Sequence, residues 1–247
     1  MPPDDQPYKG LLLDIGGVLT TDFFASIGAH CERLGLPRDR FREVVTTDPV
    51  GRRLYHQIER GEITQATFEE GLAERLGVER HGLLRGLLAD AQPNGAIINA
   101  ARRARQAGVR TGVITNSWGT DPYDPYEGFE LLRRFDAVVI SGEVGLRKPE
   151  PAIYALAAER LGLPPSACVF VDDIEQNLPA ARALGMATIH HVDNAATLHQ
   201  LERLLRIPLR DSLGAEPSPS RREWNDAARS SSRGVSSRRT AEASDEM

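Results

Sequence analysis

The sequence is poor in cysteine and has no long apolar run. Only Cys31 and Cys168 occur among its 247 residues, so a framework of several disulfides is excluded. Cys168 lies in the apolar run 167–171, where we expect it to be buried, and neither cysteine is predicted to be a nucleophile or a metal ligand. No run approaches the roughly 18 apolar residues of a membrane-spanning helix. Residues 1–10 lack the features of a signal peptide, and we therefore predict a cytoplasmic protein with no membrane partner.

Lysine is equally scarce, because only Lys9 and Lys148 among the 30 basic residues are lysines. The formal net charge is -5 and the sequence pI is about 5.7. A protein with this charge balance has no overall attraction for nucleic acid or for an anionic membrane. We therefore expect a small soluble molecule as the partner, and the sequence leaves open whether the chain is a monomer or a homodimer.

Five short apolar runs have the length of β-strands. They cover residues 11–13, 112–114, 137–140, 168–171 and 187–189. Such runs without polar alternation favour strands buried on both faces, as in a parallel sheet covered by helices. Helical spacing in residues 97–107 and 153–161 fills two of the intervals, and Pro151 suits the first turn of the second helix. The pattern predicts an α/β fold, a Rossmann-like parallel sheet with helices on both faces.

Residues 22–92 interrupt this alternation. They contain no strand-like run but several amphipathic pieces, at residues 41–45, 54–59 and 68–76. We interpret the segment as a small all-helical cap inserted after the first strand. An insertion there would stand over the carboxyl end of the sheet, where open α/β folds bind ligands.

The remaining residues divide into a core and a tail. Residues 1–21 and 93–210 are assigned to the α/β core, with the return to the core marked by Pro93, Asn94 and Gly95. Residues 211–247 are rich in Ser, Arg, Glu and Pro and have few apolar residues. Because such a composition cannot bury enough surface to order itself, we predict a disordered tail.

Three of the apolar runs are followed by acidic or small polar residues. Asp14 follows the first run, Thr115 and Asn116 end the second, and Asp172 and Asp173 end the fourth. If the strands are parallel, these residues lie at one edge of the sheet. Crowded carboxylates raise one another's proton affinity unless a cation neutralises them. Mg²⁺, which prefers oxygen ligands, would serve that purpose, and the loop 145–149 would add the positive charge of Lys148.

This set of residues resembles the haloacid dehalogenase superfamily over nearly all of residues 8–208. The resemblance is carried by four short signatures in order, at residues 13–19, 113–116, 145–149 and 169–173 with Asn177. Within the superfamily the chain is similar to the phosphatase-like amino-terminal domain of soluble epoxide hydrolases, through residues 115–118, 148–154 and 172–186. Each signature is short, but their order and their positions at strand ends make a specific combination.

The resemblance implies a Mg²⁺-dependent phosphatase that acts on a small phosphorylated metabolite. Asp14 would attack phosphorus and become a transient aspartyl phosphate, and Lys148 would neutralise the nucleophile and the developing charge. Thr115 and Asn116 would hold phosphate oxygens through the hydroxyl and backbone amides. Gly17 is also predicted to bind the phosphate, and its lack of a side chain would permit a tight turn.

The resemblance also implies a metal site with four contributors. Asp14 and the backbone carbonyl of Gly16 would bind Mg²⁺, together with Asp173 as the direct ligand of the acidic pair. Asp172 would act through water or on Lys148. The order within the pair could be reversed. Asn177 is expected to be a helix cap and loop brace.

Gly16 departs from the pattern of most phosphatases in the superfamily, which have a second aspartate at this position. That aspartate protonates the leaving oxygen and then activates water, a contribution usually worth about 100- to 10,000-fold. Either the leaving group needs little protonation here or another group supplies it, and Asp22, His56 and Glu59 are candidates. We expect Gly16→Asp to raise activity on alkyl phosphates if the backbone tolerates a side chain there.

Gly16 also keeps two alternatives open. One is a 2-haloacid dehalogenase, which likewise lacks the second aspartate but needs no metal and has little use for paired aspartates at 172 and 173. The other is a catalytically weak, phosphate-binding or regulatory relative. Several cap side chains could face either the cleft or the helical core, namely Phe23, Phe24, Arg53, Tyr55 and His56.

Overall fold

The structure, a computed structural model, describes residues 7–127 and 131–210. Its central sheet has five parallel strands in the order β3-β2-β1-β4-β5. The strands are β1 (Gly10–Leu13), β2 (Arg110–Thr115), β3 (Ala137–Ile140), β4 (Cys168–Asp172) and β5 (Ala187–His190). Each predicted apolar run lies within one of these strands, so the prediction of a parallel Rossmann-like sheet is confirmed.

α-Helices connect the strands, and the first six of those in the described residues lie between β1 and β2. In chain order the helices are α1 (Phe23–Arg33), α2 (Arg40–Thr46), α3 (Pro49–Glu59), α4 (Gln65–Leu76), α5 (Leu83–Leu87), α6 (Gly95–Gln106), α7 (Leu131–Arg134), α8 (Ser141–Val144), α9 (Pro151–Arg160), α10 (Leu178–Ala183) and α11 (Asn194–Leu205). The predicted disordered tail, residues 211–247, lies outside the described residues.

Both faces of the sheet are covered, because alternate strand residues point to opposite sides. On one face Leu11 and Leu13 pack in the same apolar cluster as Ile97 of α6 and Leu201 of α11. On the other face Leu12 packs in a second cluster, which draws on α9 and α10. This double burial explains why the strands are apolar throughout rather than alternating.

Residues 22–92 form helices α1 to α5, which have their own apolar cluster, and we call them the helical segment. Local signals define its helices: the Asp48 carboxylate accepts a hydrogen bond from Gly51 N at 2.7 Å to start α3. Gly77, at φ 73°, ends α4. Trp118, from the loop after β2, packs into this cluster with its ring 5.6 Å from that of Phe68. The helical segment thus contacts the loop at the carboxyl end of the sheet.

Within the described residues, none of the helices combines the length and the apolar character that crossing a membrane requires.

Candidate active site

Asp14 follows β1 directly and is held at the carboxyl edge of the sheet. Its backbone amide donates to Val171 O at 3.0 Å, and its Oδ1 accepts from Ile15 N at 2.7 Å. The other carboxylate oxygen lies 2.8 Å from Nζ of Lys148. The side chain of Asp14 is only slightly exposed. The residue is therefore fixed by backbone contacts on one side and by an ammonium group on the other.

Lys148 is almost fully buried and joins two carboxylates. Its Nζ lies 2.6 Å from Oδ2 of Asp172 and 2.8 Å from Oδ2 of Asp14. Burial alone would lower the pKa of Lys148, but the two carboxylates outweigh it and raise the pKa above its ordinary value. The lysine therefore stays protonated and holds a fixed positive charge in the site.

The side chain of Asn116 positions the backbone of Lys148. Asn116 Oδ1 accepts from Lys148 N at 2.8 Å, and Asn116 Nδ2 donates to Lys148 O at 3.1 Å. This paired contact connects the end of β2 to the loop before α9. The side-chain amide of Asn116 is thus engaged, and its backbone amide is the group that could contact a ligand.

Asp172 and Asp173 differ sharply in their surroundings. The Asp172 carboxylate accepts from Lys148, from Ile174 N at 2.8 Å, and from Asn177 Nδ2 at 3.0 and 3.1 Å to its two oxygens. Asp173 lies at the cavity surface, whereas Asp172 is fully buried. The geometry therefore favours Asp173 as the direct ligand of a cation and Asp172 as the partner of Lys148.

Three carboxylates, those of Asp14, Asp172 and Asp173, offer oxygens within 4.8 Å of one another. Burial raises the pKa of Asp14 to about 8, although Lys148 opposes this effect. Burial and then the charge of Asp172 raise the pKa of Asp173 to about 6. Lys148 can balance only one of the three negative charges. The donor set is thus rich in hard oxygens and short of positive charge, which fits Mg²⁺.

The two glycines after Asp14 differ in what surrounds them. Gly17 has φ 73°, and a Cβ built there would lie 2.2 Å from Oδ2 of Asp173, so no side chain fits. Its amide donates to Thr21 O at 3.4 Å, and Gly17 is not among the described residues that line the cavity. Its part in phosphate binding stays a prediction. Gly16 does line the cavity, and a Cβ there would lie 2.8 Å from Cδ2 of Phe23.

A cavity of about 370 Å³ lies above the carboxylates. Its floor consists of polar residues at the strand ends and in the loop before α9, namely Asp14, Thr115, Asn116, Lys148 and Asp173. Its roof consists mainly of apolar and aromatic side chains from the helical segment, namely Phe23, Phe24, Ile27, Tyr55 and Leu88, and the carboxylates of Asp22 and Glu59 also line the cavity. Trp118, Pro125 and Tyr126 add further apolar surface from the loop after β2. A ligand in this cavity would contact polar groups at one end and mainly apolar groups at the other.

Tyr126 was not singled out by the sequence, yet it contacts the predicted phosphate-binding residues. Its hydroxyl lies 3.4 Å from Oγ1 of Thr115, and both residues are buried. Burial raises the pKa of Tyr126 well above its ordinary value, so the phenol stays neutral. No sequence motif marks this tyrosine, because the loop that carries it has no regular periodicity.

Glu59 and Arg147 connect the helical segment to the loop of Lys148. Arg147 Nε lies 2.8 Å and one of its terminal nitrogens 2.6 Å from the same Glu59 oxygen, and Glu59 is 3% exposed. Tyr55 also hydrogen-bonds to Glu59. Burial raises the pKa of Glu59, while Arg147 opposes the change. The backbones of Gly61 and Gly142 also approach closely at this junction, since a Cβ built at Gly61 would lie 2.1 Å from Gly142 O.

The structure also shows which of the unassigned side chains of residues 22–92 line the cavity and which do not. Phe23, Phe24 and Tyr55 line the cavity, whereas Arg53 and His56 line a different surface groove. Asp22 lines the cavity rim, where its carboxylate accepts from Phe24 N at 2.7 Å and caps α1. Asn177 braces Asp172 as described, but its side chain makes no capping bond to α10.

Three comparisons place these features among known proteins. A model of the haloacid dehalogenase-like hydrolases matches residues 8–185. Bifunctional epoxide hydrolase 2 of Rattus norvegicus is 29% identical over 215 residues, which cover 77% of this chain and 38% of that protein. The chain therefore spans well under half the length of that relative.

A shorter relative and a solved structure match over most of their length. The sesquiterpene phosphatase of Aspergillus oryzae is 25% identical over 202 residues, covering 80% of this chain and 97% of that protein. The crystal structure of a haloacid dehalogenase family enzyme from Bacteroides thetaiotaomicron, in complex with magnesium and inorganic phosphate, superposes with a TM-score of 0.58 at 25% identity. It covers 74% of this chain and 93% of that enzyme. The match over residues 8–185, together with the parallel sheet and its strand-end carboxylates, shows that this chain belongs to the haloacid dehalogenase-like hydrolases.

Proposed function

We propose that this hydrolase is a Mg²⁺-dependent phosphatase that cleaves a small phosphorylated metabolite through an aspartyl phosphate at Asp14. One observation carries the proposal: Asp14 contacts the buried ammonium group of Lys148 next to Asp173, at the base of a cavity of about 370 Å³. A nucleophilic carboxylate, a fixed cation and an acidic ligand in one enclosed site are what attack on a phosphate dianion requires.

Asp14, Asp173 and the backbone carbonyl of Gly16 would hold the metal. Bound Mg²⁺ would neutralise charge on the phosphoryl oxygens and on the nucleophile. Lys148 lowers the pKa of Asp14 against the effect of burial, and Asp172 holds Lys148 in place. The hydroxyl of Thr115 and the backbone amide of Asn116 would bind non-bridging oxygens. These assignments leave every ionised group of the floor with a partner of opposite charge.

The organic part of the substrate would lie against the roof, which is apolar and aromatic. A cavity of this kind favours a phosphate whose carbon skeleton carries few polar groups. The similarity to a sesquiterpene phosphatase supports an apolar substrate, and the similarity to an enzyme crystallised with magnesium and inorganic phosphate supports the cofactor. The cytoplasmic location remains a prediction from the sequence.

Two alternatives make different predictions. A 2-haloacid dehalogenase would work without metal and would have no use for the crowding of Asp172 and Asp173 near Asp14. A phosphate-binding relative without turnover is motivated by Gly16 alone. Magnesium dependence separates the phosphatase from the dehalogenase, and turnover separates it from the phosphate-binding protein.

The test is a panel of phosphorylated metabolites and aryl phosphates, assayed for phosphate release with Mg²⁺ and with EDTA. Asp14→Asn serves as the blank, because the amide keeps the size of the side chain but is not a nucleophile. We expect release by the wild type with Mg²⁺, and release at the level of the blank with EDTA. Equal release by the wild type and by Asp14→Asn across the panel would refute the proposal.

A further inference from the structure

The wall of the cavity beside Gly16 is apolar because the ring of Phe23 fills the space next to it. Gly16 has φ -62° and ψ 127°, a backbone conformation that any residue can adopt. The backbone therefore does not require glycine there. A Cβ at this position would instead lie 2.8, 3.2 and 3.2 Å from three carbons of the Phe23 ring. Position 16 is two residues after the nucleophile Asp14. The Phe23 ring therefore occupies the space that a proton-donating side chain at this position would need.

The other ionisable groups that line the cavity are engaged elsewhere. Lys148 is shared by two carboxylates, and Asp173 belongs to the acidic cluster. Glu59 forms an ion pair with Arg147, whose Nε and one terminal nitrogen lie 2.8 and 2.6 Å from the same Glu59 oxygen. Asp22 accepts from the first turn of α1 and is exposed at the rim. His56 lines another groove.

Among the cavity-lining residues that the structure describes, Tyr55 and Tyr126 are the remaining ionisable groups. Tyr126 has a raised pKa and lies against Thr115, on the phosphate side of the cavity. Tyr55 has a pKa well above its ordinary value and bonds to Glu59. A leaving oxygen next to the Phe23 wall would therefore meet an aromatic ring rather than an acid.

We propose that this site cleaves phosphates whose leaving oxygen departs as a stable anion, namely aryl, enol or acyl phosphates, in preference to alkyl phosphates. The inference rests on the proposed phosphatase function and narrows its substrate class. A positioned acid is worth about 100- to 10,000-fold for a basic leaving group and little for a weakly basic one. The aromatic roof suits an aryl group in the same place.

The chemistry balances without an acid or base from the chain. An Asp14 oxygen forms a bond to phosphorus while the bond from phosphorus to the leaving oxygen breaks, and the electron pair departs on that oxygen as a phenolate, enolate or carboxylate. A water oxygen then forms a bond to phosphorus, and the bond to Asp14 breaks with its electron pair returning to the carboxylate. The water proton passes to an oxygen of the released phosphate. The leaving anion takes its proton from bulk water after it has left.

The test compares phenyl phosphate with cyclohexyl phosphate, which have rings of similar size but leaving oxygens of very different basicity. Both are assayed with Mg²⁺, beside 4-nitrophenyl phosphate as the most reactive member. We expect kcat/KM to fall steeply along the series, by at least about 100-fold from phenyl to cyclohexyl phosphate. Equal kcat/KM values for phenyl and cyclohexyl phosphate would overturn the inference and leave the phosphatase function standing.

Variants test whether the lack of an acid at position 16 causes the preference for aryl phosphates. The double variant Gly16→Asp with Phe23→Ala opens the space and places a carboxyl group in it, so the ratio of phenyl to cyclohexyl activity should shrink by about 10-fold or more. Continued hydrolysis of 4-nitrophenyl phosphate shows that this variant folds.

Asp22→Asn and Glu59→Gln should leave the ratio of phenyl to cyclohexyl activity unchanged. A selective loss on cyclohexyl phosphate in either would reveal an acid and overturn the inference. If the wild type cleaves alkyl phosphates but no aryl phosphate faster than Asp14→Asn, the inference fails alone; if it cleaves neither class faster than Asp14→Asn, the proposed function fails and the inference with it.

Discussion

The floor and the roof of the cavity differ in how their side chains are held. On the floor Lys148 Nζ lies 2.8 Å from a carboxylate oxygen of Asp14 and 2.6 Å from one of Asp172, which is buried behind the floor. In the roof, the rings of Phe23, Phe24 and Tyr55 belong to an apolar cluster and are only partly buried. Asp14 and Asp172 each have Lys148 as a specific partner, whereas the contacts of the roof depend on area and shape.

This difference separates the chemistry from the choice of substrate. Removing one partner of a buried ion pair strongly destabilises a protein, because the remaining charge is left without compensation. An apolar surface can exchange one side chain for another of similar volume at small cost. We therefore expect floor variants to abolish turnover or stability, and roof variants to shift affinity among substrates.

The largest effect is expected for Asp14→Asn. Loss of the nucleophile should lower kcat by at least about 1,000-fold, because no other oxygen is placed to form the covalent intermediate. The measurement is steady-state phosphate release with Mg²⁺ and the best substrate of the panel. Circular dichroism of the variant provides the folding control, and retention of more than a tenth of the wild-type rate would contradict the prediction.

Lys148→Met should destabilise the protein by about 3–5 kcal/mol, because the buried carboxylates of Asp14 and Asp172 lose their shared cation. Urea unfolding followed by circular dichroism measures the change. Lys9→Met is a matched control, since Lys9 is the other lysine of the chain and is exposed. If both variants unfold at the urea midpoint of the wild type, the floor does not depend on the buried charge.

Magnesium should stabilise the folded protein by about 2.7 kcal/mol at 100 times its dissociation constant, or about 5–10 °C in Tm for a chain of this size. The reason is that the ion binds the folded carboxylate cluster and not the unfolded chain. A thermal melt with Mg²⁺ and with EDTA measures the shift. Asp173→Asn should lose most of it, and an undiminished shift in that variant would place the metal elsewhere.

The smallest effect is expected in the roof. Phe24→Ala should raise KM for phenyl phosphate about 10-fold, through the loss of apolar contact area, and leave kcat within about twofold. Inhibition by inorganic phosphate, which would contact only the floor, should not change. A parallel loss of phosphate inhibition would mean that the two regions are not independent.

Much of the fold followed from local patterns in the sequence. The strand-like runs lacked polar alternation because both faces of the sheet are covered, and residues 41–45, 54–59 and 68–76 fell within helices α2 to α4. The convergence of Asp14, Thr115 and Asp172 followed from parallel strands alone. These features depend on periodicity and on strand direction, which a single sequence carries.

Other features could not be read from the sequence because they depend on packing between distant segments. The contact of Arg147 with Glu59 joins residues 88 positions apart, and no pattern in the sequence connects the two. The engagement of Asn116 with the backbone of Lys148 likewise depends on how two loops meet. The position of the Phe23 ring beside Gly16 depends on the orientation of α1, which no local pattern determines.

The most direct test of the account is to trap the covalent intermediate. The wild type is mixed with Mg²⁺ and 4-nitrophenyl phosphate, quenched in acid within the first turnover, and digested for peptide mass spectrometry. The account predicts a phosphoryl group on Asp14, and none in Asp14→Asn. Phosphate release at the wild-type rate by Asp14→Asn, or a phosphoryl group on a different residue, would contradict it.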